Sequence, residues 1–139
     1  MNRLALAGLV LAALACVTLA AAPPAEPAER TLEVTATAYN SLPDQTLGDP
    51  ALAAWGDRLK PGMRAIAVSR DLIDLGLTHR TEVRIEGLPG TWLVLDKLNR
   101  RWKRRIDIYM GHDARAARNF GKRRLRITWT PEPAVAGAE

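Results

Sequence analysis

"TWLVLDKLNRRWKRRIDIYMG" spans Thr91 to Gly111 and decides how the chain folds. Its first six residues are apolar on both faces until Asp96, which suits a strand buried within a barrel or sandwich. Its last third alternates Ile106 and Ile108 against Arg105, Asp107 and Tyr109, a period of two that marks a half-buried strand. Two strands are therefore joined by a short connection holding six Lys/Arg residues from Lys97 to Arg105, with Trp102 among them. Asp96 and Asp107 bound that connection, eleven positions apart. Asp is disfavoured inside a strand, so an acid between Ile106 and Ile108 asks for a reason.

Working outward, the same alternation recurs. "TLEVTATAY" sets Leu32, Val34, Ala36 and Ala38 against Glu33, Thr35, Thr37 and Tyr39. "RAIAVS" around Ile66 is short and apolar, "TEVRIEG" alternates Val83 and Ile85 with charges, and "RRLRITW" alternates Leu125, Ile127 and Trp129. Six short strands result. Ser69 can cap a short helix through Leu75, with Asp71 in its first turn and Gly76 after its end. Asp113 can open a second helix, "DARAARNF", closed by Gly121. "EGLPGTW" reads as a tight turn between antiparallel strands. Six strands and two small helices in about 100 residues predict a mainly β fold, a small closed barrel, because closure leaves no exposed edge. Between Asn40 and Met63 lies a long loop, and loops of that length in a compact domain usually carry function.

The chain has 139 residues, enough for one domain. Residues 1–22 have one early charge, Arg3, an apolar run and a small-residue end, the pattern of a secretory signal peptide. An uncleaved anchor is the alternative, and Cys16 leaves a lipidated N-terminus open. Residues 23–30 read as a Pro/Ala/Glu-rich linker, 31–130 as the folded domain and 131–139 as a tail. Cleavage would remove Cys16, the only cysteine, so disulfides are not expected. It would also remove Arg3, taking the formal charge from +5 to +4. A basic exported protein, expected in the periplasm or cell envelope, meets polyanions of the wall and membrane rather than nucleic acid.

The acids carry two readings. As a pair they could do glycosidic chemistry, in which a general acid protonates the leaving oxygen. Separately, Asp107 could be a surface acid beside an arginine and Asp96 a turn former. Trp55, Trp92 and Trp102 could stack on sugar rings, whereas Trp129, in phase with Leu125 and Ile127, belongs to the core. "KRRLR" at Lys122–Arg126 adds a second basic stretch and suggests one continuous cationic face. His79 and His112 stand isolated in sequence, and no metal or cofactor is expected.

Three segments together carry a resemblance: "VTATAYNS", then "AAWGDRLKPGMRAIAVSRDLIDLGLTHRTEVRIEGLPGTWLVLDKLNRRWKRRIDIYMG", then "ARAARNFGKRRLRITW". Residues Thr31 to Trp129 resemble the 3D domain, named for three aspartates and shared with the C-terminal part of membrane-bound lytic transglycosylase A. The resemblance implies a six-stranded double-psi β-barrel that cleaves the MurNAc–GlcNAc bond of peptidoglycan glycan strands and leaves a 1,6-anhydro sugar. It implies Asp107 as catalytic acid/base and Asp96 as the second aspartate, which orients the site. Trp102, Arg101, Arg104, Tyr109 and Tyr39 would then meet the substrate. Two positions depart from the pattern: the family's "DTGG" turn reads "DKLNRRWKRR", and its first aspartate falls at Ser69, with Asp71 two residues on. The rival reading is a non-catalytic peptidoglycan-binding module using the basic face and the tryptophans. A monomer is expected, with an envelope protein as a partner that could complete the cleft.

Overall fold

The computed structural model describes residues 15–23, 27–43 and 48–132. Most of the signal peptide expected at 1–22, the middle of the linker and most of the tail expected at 131–139 lie outside the described residues. The rest is a closed six-stranded β-barrel with two short helices. Its strands are β1 (Arg30–Tyr39), β2 (Ala65–Val68), β3 (Glu82–Ile85), β4 (Thr91–Lys97), β5 (Arg105–Tyr109) and β6 (Arg123–Trp129). Helix α1 (Arg70–Asp74) follows β2 and α2 (Ala114–Phe120) follows β5.

Around the barrel the order is β1-β5-β2-β4-β3-β6, with β6 returning to β1. β1 with β5 and β2 with β4 are parallel pairs. The other four pairings are antiparallel. Alternation decides what fills the interior: Val34, Ala36, Ile66, Val68, Val83, Ile85, Val94, Ile106, Ile108, Leu125 and Ile127 point inward and are buried. Trp129 joins them, donating its indole N–H to the Leu75 carbonyl at 3.3 Å. Phe120, at the end of α2, belongs to the same core.

A second, smaller core lies outside the barrel wall. Ala65, Leu95 and Tyr109 face outward from β2, β4 and β5, and Ala53 and Leu59 of the β1–β2 loop cover them. The loop doubles back on itself through an isolated bridge between Leu52 and Arg58, with Leu59 N donating to Ala51 O at 2.7 Å. Gly111 lets it pass the end of β5: a Cβ there would stand 3.1 Å from the Pro61 Cα, and its φ is +57°. The described part of the loop, from Gly48 onward, is thus a packed cover over one face of the barrel.

The helices match their sequence signals with one difference. Asp113 caps α2, its Oδ1 accepting from Ala116 N at 2.9 Å, and Gly121 follows the end with a positive φ. Ser69 occupies the cap position of α1, but its side chain makes no cap hydrogen bond. Its fully buried hydroxyl accepts from Arg105 N at 3.0 Å instead, tying the end of β2 to the start of β5.

Candidate active site

Four outward-facing positions form one row across the barrel wall. Thr37 of β1 pairs with Asp107 of β5, Asp107 with Ala67 of β2, and Ala67 with Asp96 of β4. Alternation accounts for Asp107, since Ile106 and Ile108 on either side point into the core. It does not account for Asp96. Val94 is inward and Leu95 outward, so an unbroken strand would turn Asp96 into the barrel. The register between β2 and β4 shifts at Ile66/Ala67, which leaves Leu95 unmatched and brings Asp96 opposite Ala67 on the outer face. That irregularity creates the pair. Ala67 separates the acids with a single methyl group, and two strand spacings set their backbones roughly 10 Å apart.

Both acids line one cavity of about 290 Å³. Tyr39 and Asn40 extend its barrel side, and Asp49, Pro50 and Leu52 of the loop form the opposite wall. Asn40 secures the rim by donating its side-chain amide to the carbonyls of Met110 and Gly111 at 3.2 and 3.3 Å. A third aspartate therefore does reach the cavity, but it is Asp49 from the loop, paired with Arg58 at 2.9 Å. Neither Ser69 nor Asp71 lines this cavity.

The two carboxyl groups are held differently. Asp96 Oδ1 accepts two backbone N–H groups, Ala54 at 2.8 Å and Lys97 at 2.9 Å. Asp107 Oδ1 accepts one hydroxyl, Thr37 Oγ1, at 3.0 Å. Neither is in an ion pair among the described residues. Burial pushes the Asp107 carboxyl above the usual carboxylate range, against the Thr37 hydroxyl and the Arg105 cation, and the nearby charge of Asp96 pushes the same way. Burial also raises Asp96, opposed by its two backbone donors and by Lys97. Hydrogen bonds to the charged form favour ionisation, and Asp96 accepts two where Asp107 accepts one, so Asp96 is the better supported anion of the two. Tyr39 adds a buried phenol oxygen with no hydrogen-bond partner among the described residues. Burial, then the two aspartates, drive its ionisation far upward, so it stays a neutral donor beside them.

The other residues singled out in the sequence are distributed more widely. Trp102 lies between two guanidinium groups, Arg105 at 3.8 Å and Arg101 at 4.8 Å from its ring centre. Arg105 is half-buried and also donates to Thr37 Oγ1 at 3.1 Å, so it braces the partner of Asp107. Arg104 is exposed, with a positive φ of 45°, and its backbone N–H donates to Asp71 Oδ2 at 3.0 Å. Tyr109 is buried in the outer core with its hydroxyl on Ser41 Oγ at 2.7 Å, and its ring centre stands 5.5 Å from that of Tyr39. Trp92 is partly buried against the main core. None of Trp102, Arg101, Arg104, Tyr109 and Trp92 lines the cavity of the two acids.

The register sets Arg105 of β5 and Arg124 of β6 on either side of Thr35 of β1, but the second basic stretch carries counter-charges: Arg124 is paired with Glu33 at 2.6 Å and Arg126 faces Glu86 at 3.8 Å. Contrary to the sequence expectation, His79 is not isolated. Its Nε2 is hydrogen-bonded to Asp57 Oδ2, whose other oxygen accepts from Arg80 at 2.7 Å, and its ring is stacked 5.1 Å from that of Trp55. This clamp fastens the loop at Asp57, three residues beyond Ala54, the donor to Asp96. Asp57 and His79 are 22 residues apart in irregular segments, where no periodicity could have paired them. Thr37, by contrast, was readable as the residue in phase with Tyr39 on β1. No family model matches this chain, and no curated protein matches it either.

Proposed function

We propose that this is an exported cell-wall protein that cleaves glycosidic bonds in peptidoglycan by lytic transglycosylase-type chemistry. The observation that carries the reading is the pair Asp96 and Asp107 in one cavity, both pushed toward the protonated form and held by unequal hydrogen bonds. Asp107 holds the proton and delivers it to the glycosidic oxygen as the bond breaks. Asp96, fixed by Ala54 and Lys97 N–H groups, stays ionised and stabilises the positive charge that develops on the sugar ring. Asp107, now a carboxylate, takes the proton from the C6 hydroxyl as that oxygen closes on C1. The product is a 1,6-anhydro sugar and no water is consumed.

The two parallel pairs, β1 with β5 and β2 with β4, in a closed six-stranded barrel support the double-psi topology and with it the resemblance to the 3D domain. A second reading, a wall-binding module without catalysis, is favoured by the basic β4–β5 connection, whose lysines have no ion-pair partner among the described residues. Murein sacculi separate the two. The protein lacking residues 1–22, and its Asp107→Ala variant, are incubated with sacculi and the soluble products weighed by mass spectrometry. Anhydro-muropeptides from the wild type alone are the expected result; pelleting with the sacculi and no release from either protein would leave the binding module.

A further inference from the structure

A second cavity, of about 370 Å³, is lined by Trp55, Arg70, Lys97, Lys103, Asp71, Asp74 and Ile73. It adjoins the first through two backbone steps: Lys97 follows Asp96, and Trp55 follows Ala54, whose N–H binds Asp96. Three cations meet in this cavity, whereas the paired arginines of the barrel are turned to carboxylates. Arg58, Arg80, Arg84, Arg124 and Arg126 each face a carboxylate within ion-pair distance. Arg70, Lys97 and Lys103 have no such partner among the described residues, although they converge on one concavity. Arg70 spends its Nε on the Leu98 carbonyl at 3.3 Å, which fixes the guanidinium at the wall. The Lys97 ammonium stands 4.7 Å from the Trp55 ring centre, and the His79–Asp57 clamp holds that ring in place. An aromatic wall and three cations, against the two carboxylates of Asp71 and Asp74, leave the lining with a net positive charge suited to one anion.

We infer that this cavity binds a carboxylate carried on the glycan, such as the free carboxyl of a peptide attached to the sugar next to the cleaved bond. The inference rests on the peptidoglycan reading above and adds a specificity element to it. A monoanion fits better than a phosphate dianion, because Asp71 and Asp74 share the wall and would repel the second charge. The cavity size falls in the lower part of the range for small-molecule sites.

The test uses the Asp107→Asn protein, so that ligands remain intact, and follows the amides of Lys97 and Lys103 and the Trp55 indole by ¹H–¹⁵N NMR. The probes are N-acetylmuramyl-L-alanyl-D-isoglutamine, its C-terminal carboxamide, and inorganic phosphate. The free acid is expected to shift these signals with an affinity about tenfold above that of the carboxamide, the scale of one charge-assisted hydrogen bond. Adding Lys97→Gln and Lys103→Gln is expected to remove that advantage, while adding Arg124→Gln and Arg126→Gln leaves it. Equal binding of acid and carboxamide, an equal response to phosphate, or no shift at Trp55 would overturn the inference. The outcome is independent of bond cleavage: release from sacculi by the wild type without these shifts would sink the subsite alone, and the shifts without release would sink the catalytic reading alone.

Discussion

Lys97–Arg105 and Lys122–Arg126 read alike in the sequence, six and four basic residues in short runs beside a strand. Their environments differ because one is a connection and the other is a strand. On β6 the ladder sets Arg126 opposite Glu33 of β1, and Arg124 reaches the same carboxylate, so cross-strand register supplies the counter-charge. Glu86, just past the end of β3, faces Arg126. The β4–β5 connection has no strand beside it to provide acids. The carboxyls that share a cavity with Lys97 and Lys103 are Asp71 and Asp74 of α1, and Asp71 is already engaged by the Arg104 backbone N–H. A basic run on a strand can be neutralised by its neighbours, whereas a basic run on a loop keeps its charge for a ligand. Arg105 sits at the boundary and behaves like neither, folded back onto Trp102 and Thr37.

If covered pairs matter and exposed ones do not, substitutions should rank accordingly. Asp57→Ala should have the largest effect, about 2 kcal/mol by chemical denaturation, because its side chain is only 11% exposed and serves both His79 and Arg80. Burial alone would raise the Asp57 carboxyl, but the His79 and Arg80 contacts outweigh it and hold it below the ordinary range. Its stabilisation is therefore present above the unfolded-state value and lost as pH falls through the lower folded-state value. A loss under about 0.5 kcal/mol would break the ranking at its top.

Arg105→Ala should cost about 1.5 kcal/mol, from the lost stacking on Trp102 and the lost bond to Thr37. The same change removes a cation that lowers Asp107, so the Asp107 carboxyl should titrate higher than in the wild type, read by carboxyl NMR. An unchanged titration would mean that Arg105 is only structural.

Asp107→Asn should stabilise the protein by about 1 kcal/mol at neutral pH, as relief of a strained site commonly does. The folded-state carboxyl is raised, so the wild type is penalised when this group ionises and is relieved below the unfolded-state value. The variant's advantage should therefore shrink as pH falls into the carboxylate range, followed by thermal melts across pH. Smallest of all, Arg124→Gln with Arg126→Gln should change stability by less than about 0.5 kcal/mol, since both pairs are solvent-exposed. Binding to sacculi by that variant should match the wild type, and for both proteins it should weaken with added salt.

The barrel was largely legible because alternation is a local signal: Ile106 and Ile108, or Leu125 and Ile127, announce both a strand and its inner face. The same signal correctly turned Asp107 outward. It could not place Asp96, because one unmatched residue at Leu95 reverses the face and nothing in "TWLVLDK" marks the irregularity. The loop half of the site was hidden for another reason. Asp49, the Ala54 N–H and the Asp57–His79 clamp arise from tertiary return of an irregular segment, which leaves no period to read. Ser69 looked like a cap because its position is one, yet its hydroxyl was taken by a strand distant in sequence.

The account turns on whether residues 96 and 107 behave as one coupled pair in their cavity, and ¹³C NMR titration of their carboxyl carbons tests this directly. The expected result is that both midpoints lie above the ordinary value of about 3.9 and that the Asp107 midpoint drops in the Asp96→Asn variant. Ordinary or lower midpoints, with Asp107 indifferent to residue 96, would contradict the account.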